Sequence, residues 1–214
     1  MSNLSKRLKT IIEFLDLNDS VVDVGCDHGL LSIYLKENNL VNSIIASDVN
    51  QNALDSAINN ISKANLDIPT VLSDGIRDVD LTGINTLVIA GMGATTIKHI
   101  LSDSEKLMHI NKIVTQSNND HEMLRNFMND IGYYLSNELY VFDKGKWYVT
   151  SCFVKDTKKN SKSVLKYGLL NNKEFNEYLI SSKEAILDKI PLSSVEARES
   201  LIKEIEDIKR TICK

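Results

Sequence analysis

The sequence predicts an α/β fold: a mostly parallel sheet flanked by helices, closed by an antiparallel last strand and followed by a C-terminal α-helical hairpin. Three observations carry this. Short apolar runs alternate with segments of helical period as far as residue 130. Two longer strands then follow each other across the turn sequence Asp143-Lys144-Gly145-Lys146, which makes that pair antiparallel. Beyond about residue 155 the chain becomes polar, lysine-rich and then helical. Alternating strands and helices build right-handed βαβ units, hence the parallel part of the sheet.

Each element has its own signal. In residues 4–15, Leu4, Leu8, Ile11, Ile12 and Leu15 share one helical face, with Lys6, Arg7 and Lys9 elsewhere. Strand one is 20–24, and a helix over about 29–38 follows it. The apolar run 43–48 ends in Asp48 and reads as strand two. Leu54, Ala57, Ile58, Ile61 and Leu66 mark a helix over 52–66. Strands three, four and five fall at 69–75, 85–93 and 111–116, with helices at about 94–102 and 119–130. The last two strands are 133–142 and 146–154. Residues 156–163 read as a linker. Phe175, Leu179, Ile186 and Ile190, then Leu201, Ile205, Ile208 and Ile212, mark two amphipathic helices broken by Pro191 and Ser193-Ser194. They form a hairpin like an antiparallel coiled coil, either packing on itself alone or serving as an RNA clamp or dimer handle. The expected division is therefore a sheet domain over 1–155 and a helical hairpin over 160–214.

Composition bounds the function. With 43% hydrophobic and 25% charged residues the chain is typical of soluble globular proteins. No apolar run approaches the ~20 residues that span a bilayer, and the first ten residues lack a signal-peptide core. A cytoplasmic protein with no membrane partner is expected, and a monomer. Cys26, Cys152 and Cys213 are far apart and lack CxxC spacing, so they read as free thiols, with no metal site. The net charge of −4 is uneven: residues 1–154 hold 12 Lys and Arg against 19 Asp and Glu, and residues 155–214 hold 13 against 10. The stretch 144–166 is the densest in lysine, with Asp156 its one acid. It is either a solvated loop and linker or a patch that meets phosphates.

The chemistry starts at Val21–Leu30, VVDVGCDHGL. A strand runs into a glycine turn and a helix start. Open α/β sheets bind ligands beyond the carboxyl ends of their strands. Gly25 and Gly29 let the backbone approach such a ligand, but their spacing is not the GxGxxG of dinucleotide folds. Asp48, at the end of strand two, can accept hydrogen bonds from both hydroxyls of a ribose. Asp74, at the end of strand three, can bond the exocyclic amine of an adenine. A single strand-end Asp is often just a helix cap; the ordered set outlines one nucleoside site.

With these residues in place, the chain resembles the class I S-adenosylmethionine-dependent methyltransferases, whose sheet is Rossmann-like. Within them it resembles the TrmK family of bacterial tRNA (adenine-22, N1)-methyltransferases. The motifs are LSKRL (4–8), DVGCDHG (23–29), SDG (73–75), IAGMGA (89–94), QSNN (116–119) and GKWY (145–148). The resemblance covers residues 1–154, and the helical hairpin matches the family's extension. Two departures stand out. Ala94 follows Gly93 where the family often has a second glycine, and Ser117 replaces a proline after Gln116.

The resemblance implies S-adenosylmethionine as cofactor, tRNA as partner and 1-methyladenine as product. It places Arg7, Gly25, Cys26, Asp27, His28, Asp48, Val49, Asp74, Gly75 and Gly91 around the cofactor. Asp27, Met92, Gln116 and Asn118 are the candidates at the reacting centre. Asp27 either stabilises the methylated ring, which is cationic, or bonds the cofactor's amino group. His28 is read as a cap on its own turn, or else as a base. Arg7 reaches the cofactor carboxylate, a tRNA phosphate or only solvent. Glycines around Met92 either let backbone carbonyls meet a base amine, with Met92 packed on the ring, or only make a tight turn into the next helix. Trp147 and Tyr148 alternate faces, one for the core and one to stack on RNA. Three rivals stay open: a nicotinamide-dependent oxidoreductase, a non-catalytic RNA-binding module, and a methyltransferase with another substrate. This chain has AGMG where exocyclic-amine methyltransferases carry an NPPY-like stretch, which argues against exocyclic-amine methylation.

Overall fold

In a computed structural model, which describes residues 4–212, the chain runs as α1 (Lys6–Ile12), β1 (Ser20–Val24), α2 (Leu30–Glu37), β2 (Ser43–Asp48), α3 (Gln51–Lys63), β3 (Thr70–Leu72), β4 (Thr86–Met92), α4 (Ala94–Ile100), β5 (Lys112–Ser117), α5 (His121–Asp130), β6 (Tyr133–Asp143) and β7 (Lys146–Lys155). Three more helices follow: α6 (Lys162–Tyr167), α7 (Lys173–Leu187) and α8 (Val195–Ile212). Cys213, expected as a free thiol, lies outside the described residues; Cys26 and Cys152 are buried free thiols.

The strands form one sheet in the order β3-β2-β1-β4-β5-β7-β6. β1 pairs in parallel with β2 and β4, β2 with β3, and β4 with β5. β7 is antiparallel to both β5 and β6. The hairpin is therefore inserted inside out: the later strand β7 lies next to β5, and β6 takes the edge. The predicted hairpin is present, but its order in the sheet had no local signal. Its turn has positive φ at both central residues, 48° at Lys144 and 84° at Gly145, as two-residue hairpin loops of type I′ require. Because Ser117 pairs with Val149, this turn lies toward the same end of the sheet as the carboxyl ends of the parallel strands.

β1 is buried along its whole length, as a central strand covered on both faces must be. The core on one side gathers Ile11, Val21, Leu31, Leu35, Ile44, Leu54, Ile61, Val88 and Val114. Each such side chain contributes about 1.5–3 kcal/mol by leaving water. The predicted helix over 4–15 is shorter than its apolar pattern. Past Ile12 the chain tightens into three-residue turns, with Phe14 N–H donating to Ile11 C=O and Leu15 N–H to Ile12 C=O.

The chain divides into two compact units between Asn160 and Ser161. In the second unit α7 and α8 form the expected hairpin. Lys183 meets Glu204 and Lys209 meets Glu184, both at 2.9 Å. The Arg198 guanidinium donates to the carbonyls of Leu187, the last residue of α7, and of Ile190 just beyond it. Ile208 packs with Tyr167, Leu170, Leu179 and Ile180. The helix α6 was not expected: residues 156–163 read as linker. Six residues are too few to show a period, and the cap at Ser161, which accepts from Val164 N–H, was the one available signal.

Candidate active site

A cavity of about 390 Å³ opens at the carboxyl ends of β1, β2 and β4. The turn after β1 forms its floor. Gly25, with φ +74°, sits where a Cβ would lie 2.1 Å from Met92 Cε, so a side chain at 25 would displace Met92. Asp27 also has positive φ, 52°, a conformation Asp tolerates better than most residues. Gly25 and Cys26 N–H both donate to Ser47 C=O, which ties the turn to β2.

Asp48 is 8% exposed at the end of β2. Its Oδ2 accepts from Asp27 N–H at 3.0 Å and its Oδ1 from Asn50 N–H at 2.9 Å. A carboxylate has about four accepting positions, so Asp48 has capacity left toward the cavity it lines. Asp74 lines the same cavity and pairs with Arg77 at 3.3 Å on the exposed side. Cys26, His28, Val49, Gly75 and Gly91 complete the expected set there. Burial and the carboxylates of Asp23 and Asp48 push the Cys26 thiol up to about 12, so it faces the cavity as a neutral group.

Arg7 reaches the cavity from α1. Its Nη1 donates to Gln116 Oε1 at 3.1 Å and lies 3.9 Å from the position a Cβ would take at Gly91. Gln116 is fully buried. Its Nε2 donates to Arg7 C=O at 2.9 Å and to Thr150 Oγ1 at 2.8 Å. Both ends of this amide are engaged, and it lies outside the cavity lining. Gln116 thus holds Arg7, where a residue of the reacting centre was expected. Asn118 is likewise engaged: its N–H donates to Met92 C=O at 2.9 Å and its Nδ2 to Gly91 C=O at 2.7 Å. The carbonyls expected to meet a base amine therefore already have a partner, because β4 and β5 bring Asn118 against them.

Two further expectations are corrected. His28 does not cap its own turn. Gly29 is the N-cap of α2, and His28 Nδ1 instead meets Ser56 Oγ at 2.8 Å, because α3 passes beside the turn. Neither Trp147 nor Tyr148 is a core residue; both are half-buried at the hairpin's end.

Asp23, Thr96 and His99 also line the cavity and were not foreseen. Asp23 had a signal: a charge inside a strand buried on both faces. It accepts from Ser32 Oγ at 2.7 Å. Burial, with the neighbouring Asp48, holds it up at about 6 despite that bond. Thr96 and His99, one turn apart on α4, had none, since only the fold aims α4 at the cavity.

Residues 4–150 match the family model described as a methyltransferase domain. The chain belongs to the methyltransferase domain family. The methyltransferase domain is 29% identical over 148 residues to the tRNA (adenine(22)-N(1))-methyltransferase of Bacillus subtilis, covering 68% of this chain and 62% of that protein. It is 34% identical over 145 residues to a candidate tRNA methyltransferase of Mycoplasma genitalium, covering 66% and 65%. These matches span less than two thirds of either relative's length. A solved candidate tRNA (m1A22) methyltransferase of Streptococcus pneumoniae superposes with TM-score 0.90 at 28% identity, covering 98% of this chain and 100% of that one. The same protein in complex with S-adenosyl-L-methionine gives 0.86. The family resemblance drawn from the motifs is borne out, and so is the fold.

Proposed function

We propose that this chain transfers a methyl group from S-adenosylmethionine to N1 of an adenine in tRNA, at position 22 as in its Bacillus subtilis relative. The observation that carries the reading is Asp48: a nearly buried carboxylate at the end of β2 with accepting capacity turned to a cavity floored by a glycine turn. That fits the two hydroxyls of a ribose. Asp74 fits the adenine amine, and Arg7 an anionic group entering the cavity. Residues 1–155 serve as the catalytic domain in this reading, and 160–214 as an appended helical hairpin. A tRNA substrate puts the reaction in the cytoplasm.

Bound there, S-adenosylmethionine supplies an electrophilic sulfonium methyl that needs no activation. The work of the chain is alignment and exclusion of water. Met92, pressed over Gly25, offers an apolar surface to the flat target base, which must leave its stack at a cost of a few kcal/mol. Asp27 stands at the mouth with its side chain 73% exposed, 3.7 Å from His28 Nε2. Its carboxylate stabilises the cationic 1-methyladenine or holds the cofactor's amino group. Gln116 and Asn118 act behind this surface, Gln116 on Arg7 and Asn118 on the β4 carbonyls. The oxidoreductase rival lacks its phosphate fingerprint, and an antiparallel β7 is foreign to its all-parallel sheet.

The test is methyl transfer from radiolabelled S-adenosylmethionine to total tRNA, with mass spectrometry of the product nucleoside. 1-Methyladenosine is expected. Cofactor binding without incorporation would overturn the substrate. Asp27→Asn is expected to lower the rate; normal cofactor binding with a full rate would remove Asp27 from the reacting centre.

A further inference from the structure

The β6–β7 turn carries a set of groups that the transfer itself does not use. Phe142 and Trp147 pair across the hairpin, with ring centroids 5.7 Å apart in an edge-on arrangement. Phe142 is 51% exposed, more than any other Phe, Tyr or Trp among the described residues. Lys144 and Lys146 are exposed at the turn beside them. On the other face of the ribbon, Lys146 Nζ lies 4.6 Å from the Tyr148 ring centroid, and the Arg7 guanidinium 5.7 Å from the same centroid. Among the described residues none of these three cations has a carboxylate within ion-pair distance. Asp143, the one acid at the turn, accepts the backbone N–H of Arg7 at 3.2 Å. That bond ties the turn to α1, and Arg7 itself lines the cavity. The turn is thus a neighbour of the cavity mouth.

We infer that the β6–β7 turn is a docking surface for single-stranded RNA next to the target adenine, with Phe142 stacking a flanking base and Lys144 and Lys146 taking flanking phosphates. The inference rests on the RNA substrate proposed above. The chemistry is what an unpaired strand asks for. A flat apolar ring accepts any base face, and cations beside it follow the backbone. An extruded adenine needs such a hold, because its neighbours lose their stacking partner when it leaves. Beyond its pairing with Trp147, Phe142 keeps about half of its surface open to solvent, and the two lysines of the same turn have no acid partner among the described residues.

The experiment measures the affinity of the full chain for labelled total tRNA by fluorescence anisotropy across a salt series, with S-adenosylmethionine affinity measured by calorimetry. Phe142→Ala is expected to weaken tRNA binding about tenfold with the salt dependence intact. The double variant Lys144→Ala/Lys146→Ala is expected to weaken it and to flatten the slope of log affinity against log salt by about 1–2. Both should bind the cofactor as the unmodified chain does. Unchanged tRNA affinity and slope in the double variant would overturn the inference, even if Phe142→Ala proved unstable. If the unmodified chain binds tRNA but forms no 1-methyladenosine, the proposed reaction falls and these variants still judge the surface. If it binds no tRNA, both fall.

Discussion

At the carboxyl ends of β1 and β2, two buried carboxylates, Asp23 and Asp48, face a cavity with their accepting capacity only partly used. Across the sheet, where α5 meets β6 and β7, the polar groups are consumed by one another. Glu138, fully buried, accepts from Arg125 Nε and Ser151 Oγ at 2.8 Å on one oxygen and from Tyr140 O–H at 2.6 Å on the other. Both regions bury charge at similar depth. What separates them is whether the partners come from the chain itself. A saturated cluster fixes the fold, whereas a half-saturated one leaves a place for a ligand to complete.

The sharpest way to break this contrast is to remove one partner on each side. Glu138→Ala leaves Arg125 buried without its carboxylate. It should cost about 3–5 kcal/mol of stability in urea denaturation, with cofactor affinity of the folded chain unchanged. Asp48→Ala should do the reverse. Losing two bonds to a charged acceptor weakens S-adenosylmethionine binding roughly 100-fold or more by calorimetry, while stability falls only about 1–2 kcal/mol as the Asp27 and Asn50 N–H groups lose their acceptor. Equal stability losses in the two variants would erase the distinction.

A smaller effect separates the regions by pH. Burial and Asp48 hold Asp23 up at about 6, above its unfolded value of about 3.9. The folded chain takes this proton first, so Asp23 adds stability as pH falls from about 6 to about 4. On the closed side, burial and the Arg125 charge pull His121 down to about 4, below its unfolded value of about 6.5. There the unfolded chain takes the proton first, so His121 removes stability as pH falls from about 6.5 to about 4. In ligand-free protein, melting temperatures at pH 7 and pH 4.5 should show a steeper acid loss for Asp23→Asn and a shallower one for His121→Asn. Parallel profiles in both variants would show that neither proton is coupled to folding.

The sequence by itself determined much of this protein. The strand starts and ends of β1 and β2, the hairpin turn at Lys144-Gly145 and the helical pair α7 and α8 all follow from period, turn chemistry and capping, which act within a few residues. So did the strand-end positions of Gly25, Asp48 and Asp74, because a glycine turn or an acid closing an apolar run is visible locally. Only the tertiary structure decided what these groups touch. It inserted β7 between β5 and β6, aimed Thr96 and His99 of α4 into the cavity, and made Gln116 and Asn118, expected at the reacting centre, the partners of Arg7, Gly91 and Met92. Gln116 and Arg7 are 109 residues apart in the chain, and no local pattern encodes their 3.1 Å bond. Period and turn chemistry set where a side chain leaves the backbone; the partner that satisfies it is chosen when the sheet closes and every buried donor and acceptor must be matched.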